Sequence, residues 1–542
     1  MFERVRNSLQ DYIVNNIINN SNSNDAYKQC DNFGFLSLLK QSKLYWICSI
    51  ITAALCYGFT LTNYTYFVDD LMFETLFKDH LGLAAGRWGY VVLMKVFNTL
   101  YFLPYWRVFI GVSFILTGAT IFCGLYRKYS NGRFDSKAAT IFTCVAISFP
   151  WIAELFFVTT ATIGIGFLIT LTAISLFFTC RWIIEKKHFL NAIPSVLVLG
   201  YAIAFYEPAV VLYLSGCFTL LLTHFLFSTD KTDFRRFMLM SVQIVLFALV
   251  GIGVWRAGVT VLQNALAVLP IEYISHFTHH NTSGVTAFFE TLAHVIYWLV
   301  KHRVLPPIDG SVVDMIVWFS TVLLVLTSTV LAIVLRKSSI CLAGVAAVFS
   351  SYGMYFVLGT ASVLNRIAIT FFLPVAFTAA LIYIMVSSVK LKRIKLKYLV
   401  VFAVIWVVFI QSREMNQVYL LDYQRYQRDV MVMHTIVHDL GYEQEKPVIF
   451  VGYLPDPLPK RELAGISLFN INRMSPTLEV NTYGIEAFFR VHSFSLHVSP
   501  DIDVDFNELR FQIADMPSWP RDGYIREYDD YTIVRLGSSN WD

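Results

Sequence analysis

The run LYWICSIITAALCYGFTLT at residues 44–62, followed directly by NYTYFVDD at residues 63–70, decides the fold of this chain. The first run is apolar and long enough to cross a bilayer, which takes roughly 20 residues of helix. The second run ends in two adjacent carboxylates, Asp69 and Asp70. We therefore expect a transmembrane helix that opens at one end onto an acidic segment outside the hydrocarbon.

The composition of the whole sequence also indicates a membrane protein. Of its 542 residues, 56% are hydrophobic and 15% are charged, and the mean hydropathy is +0.57. Such a composition predicts a polytopic membrane protein rather than a soluble globule. The net charge of +4 is too small to indicate a nucleic-acid partner. The eight cysteines lie in the N-terminal segment or in apolar runs, which argues against a disulfide framework.

The positions of Lys and Arg predict the topology, because basic loops stay on the cytoplasmic side. Basic groups fall within residues 4–43, 127–137, 181–187, 231–236, 336–337 and 390–397. If all of them are cytoplasmic, two spans separate each group from the next. About eleven candidate spans meet this condition: 44–62, 106–126, 138–153, 157–180, 190–206, 209–228, 237–256, 311–335, 339–358, 367–389 and 398–411. Two more apolar stretches, 88–105 and 286–300, carry interior polar residues and are predicted as helices at the outer interface.

Three parts of the chain follow from this topology. Residues 1–43 are a cytoplasmic segment, residues 44–411 are the transmembrane domain, and residues 412–542 are a charged domain outside the membrane. A helical pattern over 423–440 and strand-like runs at 447–453 and 531–536 predict a small α/β fold for the last part. The predicted class is therefore an all-α polytopic membrane protein with outer juxtamembrane helices and a small C-terminal α/β domain.

Acidic and basic side chains gather on the predicted outer side. The candidates for chemistry or substrate contact are Asp69, Asp70, Glu74, Arg87, Glu154, Glu207, Arg256, His279, His280 and Arg366. Carboxylates can take a proton and guanidinium groups can hold a phosphate. Their common location suits transfer of a group from a phosphate-bearing lipid to a hydroxyl.

Several of these residues also have a purely structural interpretation. Asp69 or Asp70 can cap a helix that begins at Leu71, and such a role does not exclude catalysis. Arg87 with Trp88 can anchor the chain at the interface, and Glu154 and Glu207 can be interface residues. The histidine loop has no Cys or nearby acid to complete a zinc site, so contact with sugar or phosphate is the favoured interpretation.

The acidic pair in Val68-Asp-Asp-Leu, followed by Gly86-Arg-Trp and a juxtamembrane helix, resembles the GT-C class of polyprenyl-phosphate-dependent glycosyltransferases. Within that class the chain is most similar to the serotype-converting O-antigen glucosyltransferases of the Gtr type II kind. The resemblance covers the span plan over residues 44–411 and the C-terminal outer domain.

The resemblance implies a donor, undecaprenyl-phosphate glucose, which a separate synthase makes and a flippase delivers to the outer leaflet of a bacterial inner membrane. The acceptor would be a sugar hydroxyl of lipid-linked O-antigen, and the anomeric configuration would invert.

The residues suggest roles in this reaction. Adjacent side chains point in different directions, so one carboxylate of the pair would be the general base, and Asp70 is favoured over Asp69. Arg87, Arg366 and Arg256 would hold the lipid phosphate, and Glu154 would orient the acceptor or share the work of the base. No cofactor is required, because Arg and Lys can neutralise one phosphate. A divalent metal is the less favoured alternative, since the adjacent acids lack the Asp-x-Asp spacing.

Two other functions compete with this one. A transporter or flippase for polyprenyl-linked sugars would carry ionisable residues at the membrane midplane and interrupted helices in pairs. The clustering of acids and cations at one interface favours the enzyme. An O-antigen polymerase or ligase, with a lipid-pyrophosphate donor, is the third alternative.

Overall fold

The structure is a computed structural model. It describes residues 42–66, 70, 80–96, 104–157, 161–228, 234–270, 285–301, 312–359, 365–387, 390–391, 394–441, 444, 446–455, 468–469, 478–494, 496 and 506–537. Asp69, Glu74, His279 and His280, like most of the predicted cytoplasmic segment, lie outside the described residues.

The chain folds into a helical bundle with a small sheet near its C-terminus. Helices dominate because, in hydrocarbon, a helix satisfies its backbone polar groups internally. The helices are α1 Lys43–Thr62, α2 His80–Ala84, α3 Trp88–Val96, α4 Pro104–Tyr129, α5 Ser136–Ile147, α6 Trp151–Phe157, α7 Thr162–Ile183, α8 Ala192–Ile203, α9 Ala209–Phe227, α10 Phe234–Leu266, α11 Val285–Val300, α12 Val312–Leu335, α13 Ser338–Ser351, α14 Gly353–Leu358, α15 Phe372–Val386, α16 Leu396–Leu440, α17 Leu478–Val491 and α18 Phe506–Ile513.

The predicted class of an all-α polytopic membrane protein is confirmed. In the part of the chain that the structure describes, eight helices are long and apolar enough to cross a membrane: α1, α4, α7, α9, α10, α12, the helix Ala368–Val386 that contains α15, and α16. The three remaining predicted spans form the shorter helices α5, α8 and α13. The stretches predicted to lie at the outer interface contain α3 and α11.

Two predicted spans are interrupted. The span predicted over 138–153 ends at Ile147, and α6 begins only at Trp151. Pro150 explains the break, because a proline disfavours helical backbone at the residue before it. The span predicted over 339–358 divides at Tyr352 into α13 and α14. The bundle therefore carries short helices at the ends of two spans, where the sequence predicted continuous ones.

Helices α4 and α7 pack in parallel with their backbones in close contact. A Cβ atom at Gly111 would lie 2.6 Å from the carbonyl oxygen of Thr162, and one at Gly118 would lie 2.8 Å from the side chain of Ile169. Small residues allow this close approach, which stabilises helix pairs in membranes through van der Waals contact.

Buried hydroxyl groups link other helices of the bundle. Tyr45 on α1 shares a 2.7 Å hydrogen bond with Thr120 on α4, and Tyr126 on α4 shares one of the same length with Thr219 on α9. Ser148 donates to Gln411 on α16 at 2.7 Å. Such contacts satisfy polar groups that the hydrocarbon cannot, and they fix the relative positions of the helices.

Basic loops meet at one end of the bundle. Lys128 lies 2.6 Å and Lys187 lies 3.3 Å from the carboxylate of Glu185. Lys337 donates to the carbonyl oxygen of Ser228 at 2.6 Å, just beyond the last turn of α9. The loops after α4, α7, α9 and α12 therefore share one end, as the charge pattern predicted, and the C-terminal ends of α1 and α5 lie at the other.

Helix α16 joins the bundle to the C-terminal part of the chain. Its 45 residues correspond to about 68 Å, more than twice the roughly 30 Å hydrocarbon core. The helix predicted over 423–440 is its final portion, so no loop separates it from the last predicted span. Its final turns, with Met433 and Ile436, share a hydrophobic core with Phe450 and Phe488.

The C-terminal sheet has three strands. They are β3 Val448–Val451, β4 Ile525–Glu527 and β5 Thr532–Arg535; a separate hairpin of β1 Lys390–Leu391 and β2 Ile394–Lys395 precedes α16. The order is β3-β5-β4, with β3 parallel and β4 antiparallel to β5. Both strand-like runs identified in the sequence are thus strands, and the predicted α/β character is confirmed.

Candidate functional site

A buried pair of carboxylates lies where the segment after α1 meets α16. Asp70 is fully buried, and Asp422 on α16 is 7% exposed. Thr65 donates a 2.7 Å hydrogen bond to Oδ2 of Asp422. Arg425, one turn further along α16, is also buried. The structure thus brings the favoured acid of the sequence pattern together with three residues that the sequence analysis did not single out.

Asp422 lies beyond the hydrocarbon. About 20 residues of helix cross the apolar core, so a helix that begins at Leu396 leaves it near Met415. Asp422 is seven residues further, a rise of about 10 Å, which corresponds to the outer edge of the lipid headgroups.

The surroundings of Asp422 keep its carboxyl group partly protonated near neutral pH. Burial raises its pKa from 3.8 to about 6. The hydrogen bond from Thr65 and the positive charge of Arg425 oppose this rise, whereas the negative charge of Asp70 adds to it. Two carboxylates in one buried site disfavour each other's ionisation, and a nearby cation favours it. A pair of this kind can accept a proton from a hydroxyl group and can hold it.

The Gly86-Arg87-Trp88 turn is held against the C-terminal half of α10. Gly86 has a φ of +79°, which favours glycine. Its carbonyl oxygen accepts a 2.9 Å hydrogen bond from Nε1 of Trp255, and Nε1 of Trp88 donates in return to the carbonyl oxygen of Trp255 at 3.3 Å. This reciprocal pair fixes the turn from which the Arg87 side chain projects.

Arg87 and Glu207, two of the predicted site residues, are neighbours. Their charged groups are 3.5 Å apart, and the guanidinium lies 5.2 Å from the ring centre of Tyr206. The Arg87 side chain is 29% exposed and that of Glu207 is 17% exposed. The carboxylate and the ring therefore orient a cation that is still accessible to an anionic group.

The other predicted residues are distributed around the same bundle. Arg256 follows Trp255 on α10 and is exposed. Glu154 belongs to α6, and Arg366 belongs to the 3₁₀ helix Asn365–Phe371. These two short elements contact each other through Trp151 and Phe371, whose ring centres are 6.0 Å apart. The side chains of Glu154 and Arg366 lie outside the described part of the structure.

Buried charges in the first turns of two apolar helices were also missed in the sequence. Arg107 is fully buried in the first turn of α4, and Asp314 is 2% exposed in the first turn of α12, near the phenol group of Tyr352. Arg107 opens a predicted span from its outer side, against the positive-inside trend, and that signal would have identified it. Asp314 is an acid inside a predicted span, which is itself an indication of function.

Within the ranges that the structure describes, no three His, Cys, Asp or Glu side chains form a group that could bind a metal ion.

Comparison with known proteins adds the family. The family described as Glucosyl transferase GtrII matches residues 58–410, more than half of the chain. This range includes Asp70 and Arg87 and ends before Asp422. No curated protein and no solved structure matched the chain. With a match of this extent, the chain belongs to the GtrII glucosyltransferase family and is a glycosyltransferase of the membrane.

Proposed function

We propose that this glucosyltransferase moves glucose from undecaprenyl-phosphate glucose to a sugar hydroxyl of lipid-linked O-antigen, with inversion, on the periplasmic side of a bacterial inner membrane. The observation that carries the proposal is the buried pair Asp70 and Asp422 at the headgroup level, at the opposite end of the bundle from the basic loops. A polyprenyl phosphate would present its sugar at that same level.

In this reaction Asp70 removes the proton of the acceptor hydroxyl. The oxygen of that hydroxyl attacks the anomeric carbon at the same time. The bond between that carbon and the phosphate oxygen breaks, and undecaprenyl phosphate leaves with the electron pair. Asp422, fixed by its hydrogen bond from Thr65, is the buried charge next to Asp70. Arg87 binds the departing phosphate. A general base of this kind contributes about 10²- to 10⁴-fold to the rate. A divalent metal is not needed in this scheme, because the leaving group carries a single phosphate.

The distribution of charge supports the proposed side of the membrane. Lys and Arg collect in the loops at one end of the bundle, and such loops remain cytoplasmic. The acid pair and the C-terminal sheet then face the periplasm. A donor synthase and a flippase are required partners, because the glucose must be loaded on the cytoplasmic side and delivered to the outer leaflet.

The test expresses the chain with a donor synthase and a flippase in a strain that makes O-antigen, followed by mass spectrometry of the lipopolysaccharide. We expect one added hexose per modified repeat. Asp70→Asn should reduce it at least about 100-fold at equal protein level. Asp135→Asn is the matched control, since Asp135 caps α5 at the basic end and Asn caps equally well. No added hexose with the wild-type chain would refute the proposed reaction, and full transfer by Asp70→Asn would refute the role of Asp70.

A further inference from the structure

Four aromatic side chains from three parts of the chain meet beside the acid pair. They are Tyr64, Tyr66, Tyr426 and His492, here called the tyrosine-histidine cluster. The ring centre of Tyr426 is 6.4 Å from that of Tyr64, 6.1 Å from that of Tyr66 and 6.0 Å from that of His492. The hydroxyl of Tyr426 and Nε2 of His492 are 3.3 Å apart. The C-terminal part of the chain therefore contributes directly to this surface.

The cluster is connected to the acid pair by backbone geometry. Asn63 ends α1 in an extended conformation. Tyr64 and Tyr66 contact Tyr426, and Thr65 between them donates its hydrogen bond to Asp422. On α16, Tyr426 is one turn beyond Asp422, a rise of about 6 Å.

The exposure of the cluster distinguishes it from a packing contact. Tyr426 is 8% exposed and anchors the group, whereas Tyr64 is 49% exposed and His492 is partly buried. Burial, together with the nearby His434, lowers the pKa of His492, so its imidazole is neutral and can both donate and accept hydrogen bonds. The surface thus combines an exposed ring face with hydroxyl and imidazole groups.

Such a surface matches a saccharide better than a lipid. The cluster lies on the polar outer turns of α16, past the hydrocarbon. Aromatic rings offer an apolar face with a polar edge. The C–H face of a pyranose can lie on such a ring while its hydroxyls bond to Tyr and His groups.

We propose that the tyrosine-histidine cluster is the acceptor subsite, where a sugar residue of the acceptor saccharide stacks on Tyr64 and bonds to His492. The neighbouring sugar then presents its hydroxyl to Asp70. This inference rests on the proposed function for the identity of the acceptor. It assigns to the C-terminal domain the recognition of the acceptor, and to the helix bundle the binding of the donor.

The test measures binding without transfer. The full-length protein in nanodiscs is titrated with O-polysaccharide released from the lipopolysaccharide of the host strain, and saturation-transfer NMR reports the affinity. An aromatic contact worth about 1 kcal/mol corresponds to about fivefold in affinity. We expect Tyr64→Ala to weaken binding by that factor, Tyr64→Phe to retain it within about twofold, and His492→Gln to weaken it about threefold. Tyr398→Ala is the matched control, because Tyr398 is 61% exposed at the opposite end of the same helix.

The outcomes separate this inference from the proposed function. Unchanged binding in Tyr64→Ala and His492→Gln overturns the subsite, even if the wild-type chain transfers glucose. If Tyr64→Ala weakens binding and His492→Gln does not, the role of His492 is overturned. Saccharide binding that is lost in Tyr64→Ala supports the subsite. If the wild-type chain binds saccharide in this way but transfers nothing, only the proposed reaction fails. In transfer assays, Tyr64→Ala should raise KM for the acceptor and leave KM for the donor unchanged.

Discussion

Replacing Asp422 by Asn should remove a pH-dependent cost to stability. The pKa of this carboxyl group is 3.8 in its ordinary state and about 6 in the folded protein. The folded state therefore holds the proton more firmly than the unfolded state does. Stability is highest when Asp422 is protonated in both states, at low pH, and it falls as the pH rises from about 4 through 6.

The size of this cost follows from the same two values. One pKa unit corresponds to about 1.4 kcal/mol, so ionised Asp422 lowers the free energy of unfolding by about 3 kcal/mol above pH 7. Asn cannot ionise, and its carbonyl oxygen can still accept the hydrogen bond from Thr65. Asp422→Asn should therefore match the wild-type protein near pH 4 and exceed its stability by up to about 3 kcal/mol at pH 7.5.

The assay is thermal unfolding of the purified protein in detergent, followed by tryptophan fluorescence between pH 4.5 and pH 7.5. We expect the Tm of Asp422→Asn to rise above that of the wild type by a few degrees as the pH increases. Thr65→Val serves as a second variant. It removes a hydrogen bond that lowers the pKa of Asp422 in the folded state, so the fall in stability should still begin near pH 4 and extend to a higher pH. Parallel pH profiles of the wild type and Asp422→Asn would refute the assigned environment.

Two further predictions concern helix packing and the donor. Gly111→Ala should lower the free energy of unfolding by about 1 to 3 kcal/mol in a denaturant titration, because its Cβ would lie 2.6 Å from the Thr162 carbonyl oxygen. The control is Gly58→Ala. A Cβ at Gly58 would have no atom within 4 Å, so this variant should be neutral or stabilising. Equal effects of the two would contradict the close contact of α4 and α7. Arg87→Lys should raise KM for the lipid-phosphate donor about tenfold in a transfer assay, since Lys cannot bind two phosphate oxygens at once. The control is Arg413→Lys, which changes an exposed arginine and should leave this KM unchanged.

Most of the helical architecture could be predicted from the sequence, because hydropathy and the distribution of Lys and Arg are local signals. The long spans and two of the three C-terminal strands follow from such signals; strand β4 was not predicted. The ends of α5 and α13 were missed, since apolar residues continue past both breaks; Pro150 is a local signal for the first break, and the second has no such signal. The continuity of α16 was also missed, because a fall in hydropathy near Gln411 marks the edge of the membrane and says nothing about the end of a helix.

The candidate site was predictable only in part. Asp70 stood out because a charge beside a long apolar run is conspicuous. Asp422 and Arg425 did not, since they lie in a region where charged residues are common. Their pairing with Asp70 joins positions more than 350 residues apart, and no local pattern encodes such a contact. The neighbours Arg87 and Glu207 were each selected from the sequence, but their contact depends on the packing of two separate loops.

The unbroken course of α16 limits how the chain can be recombined. Each residue inserted into an α-helix turns everything beyond it by about 100° and moves it by 1.5 Å. One residue added after Gln411 would therefore rotate Asp422 and Tyr426 away from the segment that follows α1. Chimeras that exchange C-terminal regions between relatives would need to keep the length of this helix unchanged from the membrane to Leu440.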